Sequence, residues 1–267
     1  MDKNIFMNIA HRGASGYYPE NTLIAFKKAL EMGIKWLECD VRLTADKEIV
    51  VIHDRKVDRT TDGKGLVSDY TLKELKQLDA GFWFDEKYNQ EKIPTLAEVM
   101  KILRNGQLVV EIKDGIYYPE IVNKVVKLVR ELGLVNQIII SAFHMQILKK
   151  VKKIESELKT AALVQYSNNP ENKYVKIDGG KVKVFSSLEE LISKARKNRV
   201  DMVCPPAEAV TGELVKELHE KNFLVRAWGL NNKPDRKQMQ RLIRTGINGM
   251  TTNYPDILAE VYTDLNS

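Results

Sequence analysis

The stretch Trp36-Leu37-Glu38-Cys39-Asp40-Val41 is an apolar run interrupted by two carboxylates at alternate positions, and its reading decides the fold. Side chains of an extended strand alternate between faces, so Glu38 and Asp40 share one face of a strand. Working outward, short apolar and often β-branched runs recur at Ile5 to Ala10, Leu108 to Ile112, Ile138 to Ala142, Thr160 to Val164, Asp201 to Cys204, Phe223 to Trp228 and Gly249 to Thr252. With the opening stretch these make eight candidate strands. Between most of them lie segments with helical apolar spacing, such as Thr22 to Met32 and Pro119 to Leu132. Strands alternating with helices imply a parallel sheet with crossover helices, an α/β protein.

Helix punctuation supports this reading. Asn21 is expected to cap the first helix and Thr95 a later one, while Gly33, Gly133 and Gly246 follow periodic stretches as stop signals. Eight repeats favour closure into a (β/α)8 TIM barrel over an open doubly wound sheet, because no Gly-rich turn marks a nucleotide site. Residues 1–267 are therefore read as a single TIM-barrel domain. Two connections exceed simple linkers, Arg55 to Pro94 and Gln165 to Ser187. The first, a small insertion after the second strand, holds a capping box from Thr71 to Glu74 and the aromatic cluster Phe82, Trp83, Phe84. The second reads as a hairpin, with Asp178-Gly179-Gly180 between Tyr174 to Ile177 and Lys181 to Phe185.

Of the 267 residues, 43% are hydrophobic and 29% charged, enough apolar material for a sizeable core and far from a disordered composition. The net charge of +6 suits an anionic partner without naming it. The basic runs Lys149 to Lys153 and Lys194 to Arg199 fall in expected amphipathic helices, as solvated faces, and no nucleic-acid motif occurs. Cys39 and Cys204 sit in strand-like runs as buried thiols. With no cationic leader and no run of 18 apolar residues, the expectation is a cytoplasmic protein without stable membrane insertion. Oligomeric state has no signature here.

In a (β/α)8 barrel, residues at the C-terminal ends of strands face a shared pocket. Glu111 is expected beside Glu38 and Asp40 from the neighbouring strand. Three clustered carboxylates repel one another, a bound cation relieves that repulsion, and all-oxygen ligation specifies Mg²⁺ or Ca²⁺ rather than zinc. The competing reading is ion pairing of single carboxylates with Arg12, Arg42 or Lys113. His11 and His53 each follow an apolar run and are placed to face the pocket, where imidazole suits proton transfer near neutral pH. Position alone leaves each of them nearer to a structural, hydrogen-bonding role, and His144 and His219 are assigned to one.

The stretches His11-Arg12-Gly13, Pro19-Glu20-Asn21-Thr22, Glu38-Cys39-Asp40-Val41 and His53-Asp54, in this order and spacing, resemble the opening signature of the glycerophosphodiester phosphodiesterase family. The likeness continues through Asp58 to Gly65, Thr71 to Leu75, Leu78 to Gly81, Ile93 to Val99 and Glu111-Ile112-Lys113. It returns at Arg226 to Asn231 and Gly246 to Pro255. Three departures are visible: Gly229 stands where the family more often has threonine, and Asn248 and Asn253 where aspartate is common. They are expected to affect substrate preference and to leave the acid-base and metal positions untouched.

The resemblance implies an enzyme of lipid and glycerol metabolism that hydrolyses small glycerophosphodiesters to sn-glycerol 3-phosphate and an alcohol. It implies His11 and His53 as the acid-base pair and Glu38, Asp40 and Glu111 as ligands of one divalent cation. It further implies Arg12 and Lys113 as phosphate-binding residues, with Glu20, Asn21 and Trp228 in support. Which histidine is acid and which is base stays open. So does the choice between direct attack by water and prior attack by the substrate's own hydroxyl to give a cyclic phosphate. Two other readings compete: a barrel phospholipase or sphingomyelinase D-like enzyme working at a membrane, and a non-catalytic barrel that binds anionic ligands.

Overall fold

The computed structural model describes residues 5–167, 171, 173–177, 180–231 and 234–266. Among the described residues eight parallel strands close on themselves: β1 (Met7–His11), β2 (Trp36–Leu43), β3 (Gln107–Ile112), β4 (Ile138–Ala142), β5 (Lys159–Leu163), β6 (Met202–Cys204), β7 (Leu224–Leu230) and β8 (Gly249–Thr252). Each pairs with its neighbour in chain order, and β8 pairs with β1 through Met7↔Gly249 to Ala10↔Thr252. This is the (β/α)8 barrel that the repeat of apolar runs predicts.

Two layers of core follow from strand alternation. Met7, Ile9, Val109, Ile139, Ala161, Leu163, Met202, Cys204 and Leu224 fill the barrel, while the alternate strand residues pack outward on the helices. The helix Glu120–Glu131 shows how the outer layer is made. Ile121, Val122, Val125, Val126 and Val129 form its buried stripe, and charged residues cover the rest. Thr71 and Thr95 each close a complete capping box with Glu74 and Glu98. Gly33, Gly133 and Gly246 all follow helices at positive φ. The basic run at Lys194 outlasts its helix, which stops at Lys197 and leaves Arg199 beyond the C-cap.

The first helix, Leu23–Glu31, departs from expectation at its start. Thr22 caps it, with an extended backbone and its hydroxyl accepting from the Ala25 N–H at 3.4 Å. Asn21 lies one residue too early, in the left-handed region at φ +58°, and its side chain turns to Asp40 instead. An N-cap needs an extended conformation, which Asn21 gives up. Gly13 closes the preceding turn onto this helix: its φ is +82°, and a Cβ there would stand 2.5 Å from the Ala25 carbonyl carbon. Only glycine permits that approach.

After β2 the chain doubles back as the strand Ile49–Val51, antiparallel to β2, and delivers His53 to the mouth of the barrel. The insertion then follows with its own small core of Val50, Ile52, Val57, Val67, Leu75, Ala80 and Ile93. Phe82 and Trp83 remain exposed, and Trp83 meets Phe84 edge-on. In the connection after β5, Tyr174–Ile177 pairs antiparallel with Gly180–Phe185 as a hairpin, and Gln165–Tyr166 adds a third strand. The expected turn residues Asp178 and Gly179 lie outside the described residues. Cys39 and Cys204 are buried free thiols. Among the described residues no helix is long and apolar enough to cross a membrane.

Candidate active site

The C-terminal ends of the strands surround a cavity of about 370 Å³, lined on one side by His11, Arg12, Glu38, His53, Glu111 and Lys113. Register builds the acidic centre: Asp40 pairs with Glu111 across β2 and β3, and Glu38 lies one inward position below Asp40. Ligand oxygens of Glu38, Asp40 and Glu111 lie within 4.8 Å of one another, and all three residues are buried. Burial and the charges of Asp40 and Glu111 push Glu38 well above the ordinary carboxyl range. Burial also works to raise Asp40, but the opposing charges of His53, Arg12 and Lys113 prevail and hold it well below.

Two cations are woven into this centre. The Arg12 guanidinium lies 3.1 Å from Asp40 and donates to Glu20 at 2.8 Å, while its backbone N–H donates to Glu38 at 3.0 Å. Lys113 meets Glu111 at 2.8 Å and Asp40 at 3.5 Å. The ion pairs proposed as the alternative to a metal site are therefore present, yet they do not saturate it. Asp40 Oδ1 is buried and accepts no hydrogen bond, and Glu38 resists ionisation where it stands. An all-carboxylate donor set with spare oxygen capacity fits a hard divalent cation.

The two histidines have different partners. His11 Nδ1 sits 2.6 Å from Asn253 Oδ1, and the Asn253 amide is oriented by donating its own N–H to Asn231 O at 2.7 Å. An amide oxygen only accepts, so His11 carries its proton on Nδ1 and keeps Nε2 as an acceptor. Burial, reinforced by Arg12, pushes His11 down to about 3, which leaves it neutral at physiological pH. His53 Nδ1 lies 2.5 Å from the Asp54 carboxylate. Burial would raise Asp54, but its bonds from His53 and Arg59 hold it far below its ordinary value, so His53 faces a fixed negative charge.

Arg59, from the insertion, joins both histidine loops. It grips Glu20 with two bonds of 2.8 Å and Asp54 with bonds of 2.7 and 3.1 Å. A continuous chain of charge-assisted contacts thus runs from His53 through Asp54, Arg59, Glu20 and Arg12 to Asp40. Asn21 reaches the same carboxylate, donating to Asp40 Oδ2 at 3.0 Å. Arg42, fully buried, donates to the His53 carbonyl at 2.8 Å and to Asp114.

The opposite wall has another character. Phe143 and Trp228 meet edge-on at 5.5 Å, the Trp228 N–H donates to the Cys204 carbonyl at 2.9 Å, and Leu163 completes an apolar surface. Arg226 and Thr251 are polar residues of this side, while Ser141, on β4, stands in register with Glu111.

A profile of the glycerophosphoryl diester phosphodiesterase family matches residues 11–257, nearly the whole chain. The chain belongs to this family. A glycerophosphodiester phosphodiesterase of Caldanaerobacter subterraneus subsp. tengcongensis is 38% identical over 256 residues, covering 94% of this chain and 95% of its own. One from Bacillus subtilis is 32% identical over 264 residues, covering 96% and 86%. Among solved structures, an Oleispira antarctica phosphodiesterase in complex with the product sn-glycerol-3-phosphate superposes with a TM-score of 0.81 at 27% identity, covering 96% of both chains.

All seven residues expected at the centre of this phosphodiesterase site are brought together: His11, Arg12, Glu38, Asp40, His53, Glu111 and Lys113. Glu20 and Asn21 lie directly behind them, and Trp228 faces them across the cavity. His144 and His219 do not line it; His219 bonds Asn248 at 2.8 Å. Asn253, a departure from the family pattern expected to bear on substrate preference, is the hydrogen-bond partner of His11. The reading also passed over Asp54 and Arg59, although both stand inside the matched motifs, one of them adjacent to His53.

Proposed function

We propose that this phosphodiesterase cleaves glycerophosphodiesters into sn-glycerol 3-phosphate and an alcohol, with His11 and His53 as proton carriers and Glu38, Asp40 and Glu111 holding one divalent cation, Mg²⁺ or Ca²⁺. The observation that carries this reading is the asymmetry of two imidazoles on one cavity. His11, neutral and bonded to an amide, is the base: its Nε2 takes the proton from the attacking hydroxyl. His53, oriented by the Asp54 carboxylate at its Nδ1, is the acid: it passes a proton to the leaving oxygen. With direct attack by water this division covers the whole reaction; with prior attack by the substrate's own hydroxyl it describes the first step, and the two histidines exchange roles when water opens the cyclic phosphate.

A cation on the three carboxylates would withdraw charge from the non-bridging phosphate oxygens. Arg12 and Lys113, fixed at the cavity edge by their acidic partners, add positive charge for the same oxygens. Glu20 and Asn21 hold Arg12 and Asp40 in place, and Trp228 walls the far side. The product bound in the Oleispira antarctica structure supports sn-glycerol 3-phosphate as the product here. On this reading the partner is a small diffusible diester rather than nucleic acid, and the enzyme works in the cytoplasm.

The test is to strip metal with a chelator, restore Mg²⁺, Ca²⁺ and Mn²⁺ separately, and assay sn-glycerol 3-phosphate release from several diesters. Activity should vanish and return with at least one of Mg²⁺ and Ca²⁺. Glu111→Gln should raise the cation concentration needed for half-maximal rate by at least about 10-fold, the scale on which even outer partners of a metal ligand act. Full activity in chelator, or an unchanged titration in the variant, overturns the metal assignment.

A further inference from the structure

The polar groups on the far side of the cavity are not partnered like those on the near side. Arg226 is inward-facing on β7 and only 2% exposed. Its Nε donates to Cys204 Sγ at 3.4 Å and its Nη1 to Thr251 Oγ1 at 2.7 Å. Among the described residues no carboxylate comes within ion-pairing distance of it. Arg12, Arg42 and Lys113 each face at least one. Cys204 does not supply the missing charge, because burial pushes its thiol up and keeps it protonated. A buried guanidinium without a counter-charge is costly to keep.

We infer that Arg226, held by Thr251, forms an anion-binding subsite that receives a second negatively charged group, a phosphate or carboxylate, carried by the alcohol half of the diester. This rests on the proposed hydrolysis and specifies the substrate it prefers. The scissile phosphate is an unlike candidate for the subsite. The carboxylates, Arg12 and Lys113 are carried by β1 to β3, whereas Arg226 lies on β7, across the closed barrel from β3. Phe143 and Trp228 supply the apolar surface for the carbons that join the two anionic groups. A cationic head group would meet aromatic rings there, and also an uncompensated guanidinium that repels it.

The experiment compares three diesters on the metal-loaded enzyme: glycerophosphoglycerol, the same compound with a phosphate on its terminal hydroxyl, and glycerophosphocholine. The phosphorylated diester should show a kcat/KM at least about 10-fold above the neutral one, with the cationic one lowest, on the scale of a charged hydrogen bond. Arg226→Gln should abolish that preference and Arg226→Lys restore part of it. A carboxylate in place of the terminal phosphate, tested in parallel, ranks the two anions.

Equal kcat/KM for the phosphorylated and neutral diesters overturns the inference. So does a uniform loss on all three in Arg226→Gln, which would give Arg226 to the scissile phosphate or to the fold. If Arg226→Gln does not fold, the ranking by the parent enzyme and by Arg226→Lys decides. A binding arm avoids turnover altogether: calorimetry on metal-loaded His53→Ala should find the phosphorylated diester bound at least about 10-fold more tightly than the neutral one, and equal affinities refute the subsite. Failure of the hydrolytic reading looks different, as no sn-glycerol 3-phosphate release by the parent enzyme while that binding difference stands.

Discussion

The wall built by β1 to β3 and the wall built by β4 to β7 enclose one cavity with opposite economies of charge. On the first, every ionised group leans on another: Arg12 on Glu20 and Asp40, Lys113 on Glu111, Arg59 on Glu20 and Asp54. On the second, an aromatic pair lines the same cavity as a single guanidinium that faces no carboxylate among the described residues. A dense network fixes geometry to the degree that proton transfer requires, whereas an apolar wall with one charge sorts ligands by size and sign. Substitutions on the first wall should therefore act on kcat, and those on the second on KM.

The sharpest break of that contrast is His11→Ala or His53→Ala. Each should lower kcat by about 10² to 10⁴ while leaving KM and the circular dichroism spectrum nearly unmoved. A variant with near-parental kcat would remove that histidine from the chemistry. Across the cavity, Trp228→Ala deletes half of the aromatic pair and should raise KM about 10-fold, on the energy scale of an aromatic contact with its buried area, with a smaller change in kcat. A loss confined to kcat would show that the two walls do not divide the work.

Asn253→Ala should cost about fivefold in kcat, the worth of one hydrogen bond, with Asn253→Asp recovering rate by keeping an acceptor at His11 Nδ1. Failure of Asp to rescue would mark Asn253 as structural. The smallest effect concerns stability. His11 is held from 6.5 down to about 3 in the folded chain, so between those values the unfolded chain binds more protons. Its contribution is complete above pH 6.5 and declines as pH falls towards 3. In chelator, His11→Asn should flatten the fall of the urea midpoint across that window, and an unchanged slope would refute the assignment. Glu38, raised by burial, pulls the other way in both proteins and cancels from the comparison.

The barrel was legible because its strands are short apolar runs separated by helical spacing, and the acidic centre because strand alternation puts Glu38 and Asp40 on one face. Asn21 and Thr22 are both good caps, and nothing in their order tells which of them adopts the extended backbone; the structure chose Thr22. The partner of His11 stands 242 residues away and meets it only because β8 closes against β1. Arg226 lies in an ordinary strand run, where sequence cannot distinguish a paired cation from a lone one.

The Arg59 bridge ties the catalytic loops to a segment with a separate, smaller core. Small cores open more readily than large ones, by local excursions that leave the rest of a protein intact. Each such excursion would release Glu20 and Asp54 together. Warming should thus silence the enzyme before the barrel melts, and hydrogen exchange would find the fastest amides of residues 55–94 keeping time with the loss of rate.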